Sequence, residues 1–216
     1  ILPSLKKELK PDLVIANADN LAHGNGVSEA ALKEMMTAGV DWFTGGDHCF
    51  GNAASLPLYD SQFPLLRPAN YSKLAPGRGH AEIQINGHKI LLISLIGQVF
   101  MSMNHNNPFV EADIILSNLA NNNLSAIIVD IHAEATSEKI ALNHYLDGRA
   151  SAILGTHTHV MTADARISDA GTALITDAGL TGFADGVLGV GKEGVIKTFL
   201  TQIKSSHVIL ETGRVI

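Results

Sequence analysis

The chain has 216 residues and a net charge of −6 with no cluster of lysines and arginines, which argues against tracking along nucleic acid, where phosphates must be met by a basic face. Hydrophobic residues make up 46% and charged residues 17%, with 20 glycines and no linker of biased composition, so one α/β domain with a large core and many tight turns is expected. No apolar run approaches the roughly 20 residues that span a bilayer, residues 1–10 lack a signal-peptide layout, and the single cysteine, Cys49, has no intramolecular partner; a cytoplasmic protein is the expectation.

Residues 1–10 read as an amphipathic helix with Leu2, Leu5 and Leu9 at helical spacing, stopped by Pro11. Residues 12–16 form an apolar strand that runs into Asn17-Ala18-Asp19-Asn20. Ser28 is placed to cap a helix through Ala38, with Leu32, Met35 and Met36 inward and Gly39 as its stop. A second strand, 40–44, runs into Gly45-Gly46-Asp47-His48, and a short helix follows over 52–59. Asn86-Gly87 between 81–85 and 88–96 predicts a hairpin, with His88 facing solvent. Asn107-Pro108 opens a helix to Ala120, and His105, just before it, reads as a surface residue.

A third strand, 125–131, delivers His132; Ser137 is expected to cap a helix to Leu146 with Ile140 and Leu142 inward and His144 structural. The run 150–154 is a fourth buried strand, and it delivers Gly155-Thr156-His157-Thr158-His159. A strand over 172–177, a glycine-rich loop over 179–194, a helix over 195–202 and a strand over 207–211 complete the expectation.

Four strands thus end in Asp19-Asn20, Asp47-His48, His132 and His157/His159. In open α/β sheets the ligand crevice lies beyond the carboxyl ends of the strands, so these side chains are expected to converge. Residues i and i+2 of an extended segment project to one side, which suits His157 and His159 to a shared ligand, although two surface histidines would carry the same spacing. Mixed nitrogen and oxygen donors without thiolate suit Mn, Fe or Zn, and six candidates exceed what one tetrahedral ion needs. Two divalent ions sharing a carboxylate is the economical reading. Cys49, beside this set, reads as a small buried apolar residue.

The segments Asn17 to Gly26, Gly45 to His48, Leu66 to Asn70, Asp130 to Lys139, Gly155 to Val160 and Thr176 to Gly182 resemble the YmdB-type calcineurin-like metallophosphoesterases, and the likeness covers almost the whole chain. The resemblance implies a four-layer α/β/β/α sandwich, a dinuclear metal centre and hydrolysis of cyclic nucleotides, notably 2′,3′-cyclic monophosphates. It makes Asp19 the bridging carboxylate with Asn20 beside it at the first metal. Asp47, His132 and His157 fall on the second metal, His159 on the first, and His48 on the catalytic histidine. A metal-activated hydroxide would then attack in line while His48 protonates the departing ribose oxygen. The implied partner is a small phosphodiester or cyclic nucleotide, with neither membrane nor long nucleic acid, and a homo-oligomer is compatible.

Three departures accompany the resemblance. The family opens with a strand ending in Gly-Asp, whose Asp binds the first metal, and none precedes Ile1 here, so a chain truncated at its N-terminus is expected. Asp19 stands where the family has Glu, and Asp47 where it has Asn, adding charge that should tighten cation binding and lower Lewis acidity. A catalytically impaired metal- or nucleotide-binding regulatory protein on the same scaffold is therefore the alternative. A zinc amidohydrolase barrel would carry HxH on its first strand rather than late in the chain. Around the constellation, His23 is a candidate for substrate contact, Glu134 for orienting His132, and Arg67 and Arg78 for a phosphate or a surface acid. Thr156 and Thr158 are expected to satisfy backbone groups.

Overall fold

The computed structural model describes residues 1–119, 122–210 and 213–215. Helix α1 (Leu2–Leu9) starts with no side-chain cap and ends at Lys10 in the left-handed region, φ 48°. Strand β1 (Ile15–Asn17) pairs in parallel with β2 (Trp42–Thr44) across helix α2 (Glu29–Ala38). That helix is bounded as its sequence dictates: the Ser28 hydroxyl accepts the Ala31 N–H at 3.2 Å, and Gly39 turns the chain at φ 115°. Leu32 is fully buried, but Met36 is exposed, because only one stripe of a ten-residue helix meets the sheet. A 3₁₀ turn (Ala53–Ser55) and α3 (Leu56–Tyr59) follow.

The second sheet has six strands in the order β3-β4-β5-β6-β8-β7. Strands β3 (His80–Ile85) and β4 (His88–Ile96) form the hairpin, with Asn86 at φ 48° and Gly87 at φ 81°, both positive as a two-residue turn of matching twist demands. Strands β5 (Ala126–His132), β6 (Ala152–Thr156) and β8 (Ala173–Ile175) extend the sheet in parallel from β4. Strand β7 (Arg166–Ile167), two residues long and absent from the sequence expectation, closes the edge antiparallel to β8. Helix α4 (Pro108–Asn118) is capped by the Asn107 side chain, which accepts the N–H groups of Phe109 and Val110; Ala120, its expected end, lies outside the described residues. Helix α5 (Thr136–Leu146) follows β5, and α6 (Lys192–Thr201) begins three residues before its expected start.

Three apolar layers hold these elements in a four-layer α/β/β/α order. Leu91, Ile93 and Leu95 of β4 point, with Val129 and Ile131, to α4 and α5. Ile90 and Leu92, on the opposite face by the strand's period of two, pack with Ile83, Ile15 and Trp42 between the sheets. Leu32 and Phe43 lie with Leu2 and Met35 between the small sheet and helices α1 and α2.

Several local expectations are corrected. Helix α5 starts at Thr136 with Ala135 as an uncharged cap, so Ser137 is exposed and caps nothing, and the shift turns Ile140 and His144 outward. His105 is buried rather than on the surface: Gln98 Nε2 donates to its carbonyl at 2.7 Å and Asn70 Nδ2 to that of Asn106, folding the loop down until the imidazole stacks 4.5 Å from the Tyr71 ring. The expected last strand is an isolated bridge between Val190 and Ile209, and its end, Glu211, lies outside the described residues. Cys49 is fully buried among apolar side chains, and burial pushes its thiol far above the ordinary range, the setting of a packing residue.

Candidate metal centre

Strands β1 and β2 of the small sheet and β5 and β6 of the large one end side by side. Asn17, at the end of β1, donates from Nδ2 to Asp130 of β5 at 2.9 Å, and Thr44, at the end of β2, donates to the same carboxylate at 2.5 Å. These two bonds join the sheets at their carboxyl ends, so the residues that follow each strand must meet. Gly46 allows a close approach: a Cβ there would collide with the His132 ring. Gly155 is equally constrained, since a Cβ would collide with the Thr176 carbonyl oxygen.

Five predicted residues form one cluster. Asp47 Oδ1 lies 3.0 Å from His132 Nε2, 3.3 Å from His157 Nδ1 and 3.6 Å from His48 Nδ1. His132 Nε2 is also 3.0 Å from His157 Nδ1 and 3.5 Å from Asp19 Oδ2. Asp19, almost fully buried, accepts the His48 backbone N–H at 2.9 Å on one oxygen and faces His48 Nδ1 at 2.7 Å with the other. Two groups able to hold a cation result, Asp47-His132-His157 and Asp19-Asp47-His48, with Asp47 in both.

The electrostatics follow from these contacts. Burial alone would raise the Asp47 carboxyl, but hydrogen bonds from His132 and His157 and the charges of His132 and His48 hold it far below the usual carboxylate range. The bond to Asp19 raises the His48 imidazole, as that to Asp47 raises His157. His159 moves the other way, because burial and the nearby His157 and His132 disfavour its charged form.

Two predicted ligands stand apart from the cluster. Asn20 donates to the Gly24 carbonyl at 3.1 Å and reaches His48 Nδ1 at 3.4 Å. His159 belongs to neither cation group, yet its Nδ1 is buried without a hydrogen-bond partner among the described residues. Both His157 (φ 101°) and His159 (φ 66°) occupy the left-handed half of the backbone map, which non-glycine residues adopt only where their surroundings hold them. Positive φ at both positions replaces the simple extended geometry in which i and i+2 share a side.

The surroundings that hold them centre on Thr158. Its N–H and hydroxyl both donate to Asp177 Oδ2, at 3.1 and 2.6 Å, and the same oxygen receives Lys139 Nζ at 2.7 Å in a fully buried ion pair. Lys139, on α5, thus clamps the turn that presents both histidines, a role the sequence reading did not find. Removing one partner of such a pair strands a buried charge, so Lys139→Met is expected to lower unfolding free energy by about 3–5 kcal/mol in urea titrations, and Lys139→Met/Asp177→Asn together by less. Asp177 is raised by burial but held below its ordinary value by the bonds from Lys139 and Thr158. Its contribution is therefore present above the unfolded carboxyl pKa and lost as pH falls through the depressed folded value, and acid unfolding of Asp177→Asn should lack that component.

The remaining candidates find different partners from those expected. Glu134 pairs with His157 Nε2 at 3.1 Å rather than with His132, directing Nδ1 inward. Arg67 is buried and donates to the carbonyls of Pro76 and Pro68, while Arg78 stacks over Trp42 at 5.0 Å, so among the described residues neither guanidinium meets an acid. Thr156 and Thr158 bond to the carboxylates of Asp130 and Asp177 instead of to backbone groups. His23 is exposed and stands outside both cation groups. The sequence reading gave no role to Asp130; an acid inside the apolar run Ala126 to Ile131, two residues before His132, was the signal available.

Comparison with known proteins gives a consistent picture. The YmdB-like protein family matches residues 1–216. A 2′,3′-cyclic-nucleotide 2′-phosphodiesterase of Bacillus subtilis strain 168 is 41% identical over 210 residues, covering 97% of this chain and 79% of that protein. A crystal structure of a hypothetical protein from Thermus thermophilus superposes with a TM-score of 0.90 at 37% identity, over 98% of this chain and 81% of that one. A phosphatase from Mycoplasma pneumoniae gives a TM-score of 0.87 at 33% identity, over 97% and 76%. Among the described residues no helix is long and apolar enough to cross a membrane.

Proposed function

The chain belongs to the YmdB-like family, and on that premise we propose that it is a metal-dependent phosphodiesterase opening 2′,3′-cyclic nucleotides, with two divalent ions held among Asp19, Asn20, Asp47, His132, His157 and His159. The observation that carries the reading is the meeting of Asp19, Asp47, His132 and His157 where four strands end, with Asp47 Oδ1 3.0 Å from His132 Nε2 and 3.3 Å from His157 Nδ1, and His132 Nε2 3.5 Å from Asp19 Oδ2. The residues fit such ions in kind: imidazole nitrogens and carboxylate oxygens without thiolate suit Mn, Fe or Zn, and the orphaned Nδ1 of His159 has the character of a ligand atom awaiting its partner. When bound, the ions supply Lewis acidity toward the phosphoryl oxygens and acidify a water.

The chain's own residues do the rest. His48 donates from Nδ1 to Asp19, so the proton it gives to the departing ribose oxygen is the one on Nε2. Asp19 keeps that imidazole charged to higher pH than an ordinary histidine, and the buried carboxylate fixes the ring's orientation through two contacts to one residue. Glu134 aims His157, and Asp177 with Lys139 sets the turn. The substrate is a small phosphodiester, since a net charge of −6 with no basic cluster offers a longer strand no face to follow, and the place of action is the cytoplasm, where the lone buried Cys49 is at home.

The test is hydrolysis of 2′,3′-cyclic AMP by the full-length protein, after chelation and after readdition of manganese. Turnover should vanish with chelation and return with manganese at two ions per chain. Two bound ions without turnover of any 2′,3′-cyclic nucleotide would sink the enzyme reading and leave a metal- or nucleotide-binding protein on the same scaffold.

A further inference from the structure

The loop that leaves β4 stands at the rim of the cluster, and none of the roles above uses it. Ile96, the last residue of β4, is the register partner of His132, and the Gly97 N–H donates to the His132 carbonyl at 2.9 Å, so the loop departs beside a proposed metal ligand. Glycine is what fits at that point, since a Cβ would collide with the Glu138 carboxylate and the Ala133 methyl. Glu138 of α5, itself buried, accepts the Gln98 N–H at 2.9 Å and the Val99 N–H at 3.2 Å. Asn70, also buried, draws the two ends of the loop together: its Nδ2 donates to the carbonyls of Ile96 and Asn106, both at 2.7 Å, and its Oδ1 accepts the Ile96 N–H at 2.9 Å. The returning end packs through His105 on Tyr71, whose hydroxyl donates to the Gly46 carbonyl at 3.2 Å, one residue from Asp47. Both feet of the loop therefore rest on members of the cluster or their neighbours, and buried polar groups hold them there.

Between these fixed feet the tip carries apolar side chains into solvent. Val99, Phe100 and Met103 are all exposed, Phe100 at 86%. Phe100 also sits at φ 63°, in a turn closed by the Met101 N–H on the Gln98 carbonyl at 3.4 Å. Glycine or asparagine usually takes that backbone, and a phenylalanine held in it is the kind of strain that gathers at ligand clamps. The core gains nothing from it, because Phe100 enters none of the three apolar layers. The other exposed aromatic residues among the described ones, Tyr145 and Phe199, lie on α5 and α6 rather than on a loop that leaves a strand end. Phe100 is three residues beyond Gly97, and three residues span at most ~10 Å, the length scale of one mononucleotide. A nucleoside cyclic phosphate is charged at one end and flat and aromatic at the other, and the site offers a charged cluster with an aromatic ring at its rim. We propose that Phe100 is the platform on which the base of the substrate stacks, which makes the 97–106 loop the element that selects among nucleosides. The proposal rests on the cyclic-nucleotide reading above. Stacking uses the π face and not a hydrogen-bond pattern, so the preference follows ring area, with purines ahead of pyrimidines.

The experiment compares full-length wild type with Phe100→Ala, Phe100→Leu, which keeps an apolar side chain without a π face, and Phe100→Trp, which enlarges that face. Each is assayed with manganese on 2′,3′-cyclic AMP and on methyl riboside 2′,3′-cyclic phosphate, a diester without a base. Phe100→Ala and Phe100→Leu should raise KM for 2′,3′-cyclic AMP about five- to a hundredfold with kcat held, the signature of lost binding common to ground and transition states. Phe100→Trp should match or lower the wild-type KM, and on the base-free diester all four forms should share one KM. Because Phe100 is outside the core, thermal midpoints should agree across the set, and Phe100→Trp against wild type carries the test if a smaller side chain unsettles the loop. An unchanged KM for 2′,3′-cyclic AMP in Phe100→Ala, or an equal rise on the base-free diester, would overturn the platform. A wild type that turns over neither substrate sinks the phosphodiesterase reading instead, and calorimetric titration with 2′,3′-cyclic AMP then decides the platform: weaker binding in Phe100→Ala than in wild type supports it, and equal or absent binding in both overturns it.

Discussion

Replacing His48 with Ala is expected to slow hydrolysis of 2′,3′-cyclic AMP by about 10²–10⁴-fold, the range that a positioned general acid supplies. The ribose oxygen leaves as a poor alkoxide unless it is protonated as the bond to phosphorus breaks, and His48 is the half-exposed imidazole in the cluster whose charge a buried carboxylate sustains. Leaving-group chemistry gives the sharper reading. A nitrophenyl phosphodiester expels a phenolate that needs no proton, so the same variant should lose far less on that substrate. Manganese stoichiometry should stay at two, because the residues proposed to hold the ions, Asp19, Asn20, Asp47, His132, His157 and His159, do not include His48 and all remain. Equal losses on both substrates with both ions retained would remove His48 from the acid's role and make it a structural neighbour of Asp19.

How far the sequence reveals this site depends on which physical signal each residue leaves. The strand ends were legible because apolar runs of four to eight residues stop where the side chains change character, and chemistry-bearing residues at those stops must meet in this class of fold. Met36 and Ile140 were misplaced because helical periodicity fixes a stripe only to within a residue or so, and one residue of phase turns a side chain out by about 100°. His105 was misread for a different reason. Its burial comes from bonds made by Gln98 and Asn70, the latter distant along the chain, and nothing in an asparagine-rich loop announces them. The same holds for Lys139 against Asp177 and for Asn17 against Asp130: long-range polar pairs have no period, so sequence shows the members and hides the pairing. The family resemblance implied the cluster's members, but geometry alone shows which nitrogen faces inward and why Glu134 serves His157 and not His132.

Asp47 belongs to both groups able to hold a cation, and its replacement should have the broadest effect. Asp47→Ala is expected to weaken divalent binding at both sites by more than about 100-fold, beyond what losing an outer-shell partner does, and to abolish turnover at ordinary manganese concentrations. One carboxylate oxygen contacts His132 and His157 and approaches His48, so its removal takes a donor from both groups at once. Asp47→Asn separates charge from geometry. The amide keeps an oxygen for the ions but gives up a negative charge, and with both aspartates present, two carboxylates neutralise half the charge of two dications and leave the remainder to attract an anionic diester. Reducing that neutralisation should loosen binding, raising the manganese concentration needed for half-activity, and should strengthen each ion as a Lewis acid, so that kcat at saturating manganese is held or increased. Isothermal titration with manganese and rates measured across a manganese series test both halves. Unchanged binding in Asp47→Ala would show that the two groups do not share this oxygen, and a fall in kcat for Asp47→Asn at saturation would show that the carboxylate acts on the substrate as well as on the ions.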